Sequence, residues 1–174
     1  REFGARGNDL ENDFEAISSA IAAAKNAGGG DVFFPPGVWR SDTTITLPTG
    51  VALRGASRDN TILEGFGPAS RDGYVTSLIH LSSGTGLHAL TFQGATYKGP
   101  HAYGGCLVSA MPTGKDTVFE DLRIVGCRFY SSEVRSGELP QLHVKAIGIP
   151  PCARVRLLDN DLYGPASFGD RKSP

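Results

Sequence analysis

At 174 residues, with 40% hydrophobic and 20% charged side chains, the chain is long enough to bury a core and too apolar to stay disordered. A net charge of -1 excludes any global attraction to nucleic acid, and no apolar run is long enough to span a bilayer. The three cysteines, Cys106, Cys127 and Cys152, have neither CxxC spacing nor a histidine at zinc-finger distance, which argues against a metal site and for buried free thiols.

Twenty-three glycines and 11 prolines predict many turns and short strands. One stretch, "ENDFEAISSAIAAAKNAGGG", reads as a helix over residues 12–27. Asn12 is placed to cap it with Glu15 three residues on, Phe14, Ile17, Ile21 and Ala24 fall on one face, and Gly28 is the stop signal. In "AGGGDVFFPPGVW" the glycines free the backbone and the two prolines remove ladder donors, so Val32, Phe33 and Phe34 form one short strand followed by a corner. No later segment has helical periodicity.

The remainder repeats. "LTFQGATY" (90–97), "LRIVGCRF" (122–129) and "VRLLDNDL" (155–162) each carry bulky residues at positions one and three and a small or amide residue at six, with offsets of 32 and 33 residues. A near-constant period of strand-forming segments predicts stacked β-coils, about four of them, each burying its apolar face only against its neighbours.

Phe3-Gly4-Ala5, Ala16-Ile17 within the helix, Gly28-Gly29-Gly30, Phe34-Pro35-Pro36-Gly37 and Leu53-Arg54-Gly55, in that order, resemble the N-terminal segment of the pectate-lyase-like superfamily. The resemblance covers about the first 65 residues. It implies an all-β, single-stranded right-handed parallel β-helix with the 12–27 helix capping its first coil, the whole of 1–174 forming one domain that is the N-terminal part of a longer solenoid. It also implies binding and cleavage of an extracellular polysaccharide by hydrolysis or elimination, in a secreted, periplasmic or cell-surface setting. The alternative from another class is a non-catalytic carbohydrate-binding module, adhesin or tailspike-like β-helix. No cofactor is expected; calcium is compatible with such chemistry, but no motif indicates it.

Aligned coils define candidate sites, because equivalent residues stack at roughly 4.8 Å. Position two gives the column Thr91, Arg123, Arg156, in which two guanidiniums are suited to gripping carboxylates unless each pairs with an acid in a neighbouring column. Asp121 below Arg154 and Arg128 below Asp161 are expected cross-strand ion pairs. Lys98, Tyr130 and Tyr163 form a column that could stack on sugar rings or simply cover the core edge. Asp159 and Asp161, flanking an inward Asn160, are the candidate acid and base of a hydrolase, although the same positions also suit turn and ion-pair roles. Elimination needs a base beside a neutralised carboxylate, which points to Lys145 with Arg156, and to His143 on the same side of one strand as Lys145.

The insertions at 95–105 and 131–141 are expected to wall a ligand groove. "GPASFGDRKSP" has no helix able to cap the last coil, so the expected partners are a polysaccharide together with either further coils of the same protein or a second copy at the open end, with no nucleic acid and no membrane.

Overall fold

The computed structural model describes residues 2–65, 77–94, 106–110, 118–130, 133–134, 142–143, 145–148 and 152–163. The first strand, β1 (Asn8–Asn12), leads into the helix α1 (Phe14–Asn26). The helix is shorter than the expected 12–27 at both ends, and Asp13 rather than Asn12 holds its N-cap position. Asn12 still accepts a hydrogen bond at Oδ1 from the Phe14 N–H at 3.1 Å, while the buried Asp13 carboxylate accepts from the backbone of Arg6 at 2.8 Å and of Arg40 at 3.3 Å. Asp13 is thereby committed to tying the N-terminal segment to the strands, because a buried acid is tolerated only with partners. Ile17 and Ile21 are buried beneath the helix, which lies against strands of the first two coils. At Gly29 the backbone has φ +110, and a Cβ there would lie 2.6 Å from the Gly50 carbonyl oxygen, so the chain leaves the helix through a position open only to glycine.

Three parallel sheets follow. The first contains β2 (Gly30–Phe34), β5 (Val51–Gly55), β8 (Gly86–His88), β11 (Phe119–Val125) and β16 (Cys152–Leu158). The second stacks β1, β3 (Gly37–Ser41), β6 (Thr61–Gly65), β9 (Thr91–Gly94), β12 (Arg128–Tyr130) and β17 (Asp161–Tyr163). The third stacks β4 (Ile45–Thr46), β7 (Ile79–His80), β10 (Cys106–Ser109) and β15 (Lys145–Gly148). The chain visits the sheets in turn, completing four coils and starting a fifth with β16 and β17. This is the expected parallel β-helix with a helical N-terminal cap. The cap is double, because β1 also pairs with β3 and covers the second sheet's first edge.

Inward residues form ladders. Val32, Leu53, Leu87 and Ile124 stack in register in the first sheet, and Trp39, Leu63, Phe92 and Phe129 in the second. All eight are buried. Their successors on the fifth coil, Leu157 and Leu162, are 49% and 51% exposed, since among the described residues no coil stacks on them.

Residues 122–129 pair with 155–162 as the repeat predicts, whereas 90–97 is out of phase. Arg128 stands opposite Thr91, Phe129 opposite Phe92, and Arg123 opposite Gly86, so the true equivalent of 122–129 is 85–92 and Thr91 leaves the arginine column. The turn from the first to the second sheet explains the shift. It needs one left-handed residue followed by one inward residue, and these are Ala89 (φ 52) with Leu90, Gly126 (φ 64) with Cys127, and Asp159 (φ 53) with Asn160. Gly94, itself at φ 75, resembles Gly126 in sequence but ends β9 instead. Asn160 faces inward as expected: its Nδ2 donates to the Ile124 carbonyl at 2.8 Å and its Oδ1 accepts from the Cys127 N–H at 2.9 Å.

The segment after β12 contains an antiparallel pair, β13 (Glu133–Val134) and β14 (Leu142–His143). His143 therefore pairs with Glu133, while Lys145 pairs with Cys106 in the third sheet. The single strand expected to carry both is two strands, because the insertion closes on itself before the chain rejoins the coil.

Candidate functional site

The outer face of the first sheet brings together two arginines, Arg123 and Arg156, that no acid among the described residues pairs. One outward column runs Asp31, Ala52, Gly86, Arg123, Arg156, and the next runs Phe33, Arg54, His88, Val125, Leu158. Arg123 and Arg156 are exposed and in register, so their guanidiniums project from adjacent coils. The nearby acids are occupied elsewhere. Arg154 donates Nε to Asp121 at 2.8 Å and Nη2 to Glu120 at 2.8 Å, and its hydrogen bond holds the Asp121 carboxyl below its usual range. The expected Asp121–Arg154 pair thus forms, and among the described residues Arg123 and Arg156 have no salt-bridge partner. Like charges on neighbouring strands repel, and an anionic ligand would relieve that repulsion.

His88 is a site residue that sequence reasoning missed. Its ring lies over Gly86, where a Cβ would stand 2.7 Å from Nε2. It is half-buried between Arg54 on the coil below and Arg123 on the coil above. Burial lowers its pKa, Arg54 and Arg123 lower it further, and Asp31, which accepts a hydrogen bond from Arg54 Nε, opposes them. The phase slip that put Thr91 below Arg123 hid Gly86 and His88; the usable signal was the inward Leu87 between them.

Asp159 and Asp161 lie at the last turn from the first to the second sheet, inside an ion-pair cluster. Arg58 Nη1 is 3.6 Å from Oδ2 of both acids and donates to the Asp159 carbonyl at 2.8 Å. Arg128 reaches Asp161 Oδ2 at 3.5 Å, as expected, and Asp59 Oδ1 at 3.0 Å. The two carboxylates are indeed close neighbours, but each already faces a guanidinium. Arg58 gets there because its turn, 56–60, is longer than the turns stacked above it and reaches along the edge to the fifth coil.

Tyr130 and Tyr163 stack on the second sheet with ring centres 5.0 Å apart and planes 17° apart, both well exposed. Lys98, the third member of that expected column, lies outside the described residues, as does the 95–105 insertion. Of Lys145 and His143 only the strand positions are described. Lys145 is in the third sheet and Arg156 in the first, so the structure does not bring that pair onto one face. Long connections 66–78, 95–105 and 131–144 all run from the second sheet to the third. Among the described residues no cluster of three or more His, Cys, Asp or Glu is arranged to hold a metal ion, and no helix is long and apolar enough to cross a membrane.

Cys127 is a free, buried thiol whose pKa burial pushes up to about 11. Only the thiolate reacts, so Cys127 is expected to resist alkylation near neutral pH in the folded chain and to react once urea exposes it, as peptide mass mapping would show.

The family described as rhamnogalacturonase A/epimerase, pectate lyase-like, matches residues 1–98, more than half of the chain. The chain belongs to this family. It is 41% identical over 71 residues to mannuronan C5-epimerase AlgE6 of Azotobacter vinelandii, and 35% identical over 71 residues to alginate lyase 7 of the same organism. Each match covers 37% of this chain and 8% of the relative. Among solved structures, the A-module of A. vinelandii AlgE4 superposes with a TM-score of 0.67 at 23% identity, over 92% of this chain and 44% of the module. The AlgE6 A-module gives 0.68 at 22%, over 91% and 42%. This chain therefore spans less than half of either module and a small part of the curated relatives it matches, and the structural likeness establishes the β-helix fold.

Proposed function

We propose that this chain forms coils of a carbohydrate-active protein that acts on a uronic-acid polysaccharide, gripping its carboxylates on the outer face of the first sheet. The observation that carries this reading is the in-register pair Arg123 and Arg156, with Glu120 and Asp121 both taken by Arg154. Support comes from two relatives whose names specify mannuronan and alginate as substrates. Elimination and C5-epimerisation both begin by removing a proton next to a carboxylate, and a guanidinium that neutralises the carboxylate makes that proton more acidic. Placement outside the cytoplasm, and further coils covering the exposed Leu157, Leu158, Leu162 and Tyr163, belong to the same proposal.

The test is affinity electrophoresis of this chain through gels containing polymannuronate, polygalacturonate or neutral dextran. Retardation by the polyuronates that fades with added salt, and none by dextran, is the expected result. Equal mobility in all three gels would remove the reading. Incubation with polymannuronate in deuterium oxide then separates chemistry from binding: deuterium at C5 or a new unsaturated uronate marks proton abstraction.

A second reading assigns the chemistry to the third sheet, where the three long connections enter, and proposes Lys145, which lies in a strand of that sheet, as the proton acceptor. Loss of turnover in Lys145→Ala with polymer binding retained would favour it. The hydrolase version, with Asp159 and Asp161, predicts new reducing ends without unsaturation.

A further inference from the structure

We infer that Arg54, His88 and Arg123, with Gly86 as the floor, form a subsite for one carboxylate, and that filling it loads a proton onto His88. This rests on the proposed polyuronate reading and adds a binding residue and a pH dependence to it. The geometry comes from the register. Arg54 stands directly below His88 in one column, and Arg123 stands directly above Gly86 in the next, so the imidazole that folds across Gly86 lies between two cations. A Cβ at 86 would meet Nε2 at 2.7 Å, so any side chain there would push the ring from this position. Val125, directly above His88, adds no charge to the site.

The charged groups facing His88 are Arg54 and Asp31 from the coils below and Arg123 from the coil above, with Arg156 one coil further. Asp31 binds Arg54 through Nε, while Asp121 and Glu120 are held by Arg154. In the free protein burial, and after it the two arginines, disfavour the imidazolium. A bound carboxylate reverses the local sign: it screens both guanidiniums and is itself a partner for imidazolium N–H. Binding must then take up a proton, and by linkage affinity rises as pH falls toward and below the ordinary histidine value of 6.5.

The closing experiment measures polymannuronate affinity of this chain on both sides of pH 6.5, for the unaltered protein, His88→Gln and Gly86→Ala. The unaltered protein should bind about fivefold tighter on the acid side, and each variant should shrink that ratio to within about twofold. Gly86→Ala keeps the imidazole but crowds it out of the subsite, so it tests position apart from charge; thermal melting of each variant verifies folding. Equal pH ratios in all three folded proteins would overturn the His88 subsite while leaving polyuronate binding intact. Absence of polymannuronate binding at every pH would overturn both.

Discussion

Arg123→Ala/Arg156→Ala is expected to weaken polyuronate binding about a hundredfold, while leaving the melting temperature nearly unchanged. A hydrogen bond to a charged partner is worth about 1.5–3 kcal/mol, and two lost together exceed the roughly 2.8 kcal/mol that a hundredfold represents. Both side chains are exposed and make no described salt bridge, so folding has little to lose. Lysine at both positions should restore only part of the affinity, because an ammonium lacks the planar fork that meets a carboxylate through two N–H groups. Arg154→Ala provides the reciprocal test. It frees Glu120 and Asp121, of which Asp121 already interacts with Arg123 and Arg156, and binding should weaken although no proposed contact residue is altered. Affinity of the double alanine variant within threefold of the starting protein would remove this face from the proposal.

Phe129→Ala is expected to cost about 3–5 kcal/mol of stability. Phe129 is fully buried and stacks on Phe92 with ring centres 5.1 Å apart and planes 11° apart, so truncation opens a cavity between adjacent coils. Leu162, next in the same ladder, is half exposed, and Leu162→Ala should cost far less. Urea unfolding by circular dichroism distinguishes the two. In a solenoid each coil is stabilised by its neighbours, so loss of Phe129 should also let the fourth and fifth coils open first, seen as a shallower transition. An unchanged midpoint for Phe129→Ala would mean that the aromatic ladder does not couple the coils.

Several contacts between the fourth and fifth coils were legible from spacing alone: Asp121 with Arg154, Arg128 with Asp161, Tyr130 on Tyr163, and the inward amide of Asn160. They share a reason. Both coils make the same two-residue turn between the first and second sheets, so a constant offset of 33 residues carries each side chain onto its partner. Coil three reaches that turn through Ala89, which lacks the glycine that marks Gly126, and the pattern locks onto Gly94 instead. One such slip moves Thr91 into the arginine column and hides His88.

Arg58 was invisible for another reason. It meets Asp159 from 101 positions away, and a contact across three coils depends on how far one turn projects, which no local pattern encodes. The separation of His143 from Lys145 depends in the same way on where the insertion closes on itself.

Local chemistry therefore determined the elements: the helix face of Ile17 and Ile21, the Pro35-Pro36 corner, and the alternation that turns leucine and phenylalanine inward. These follow from backbone sterics and burial acting over a few residues. Only the tertiary structure decided which outward residues share a face, because that depends on the summed lengths of the connections between coils. Arg54, His88, Arg123 and Arg156 become one surface through parallel pairing alone, and Glu120 and Asp121, which might have neutralised it, are drawn off by a fourth arginine, Arg154.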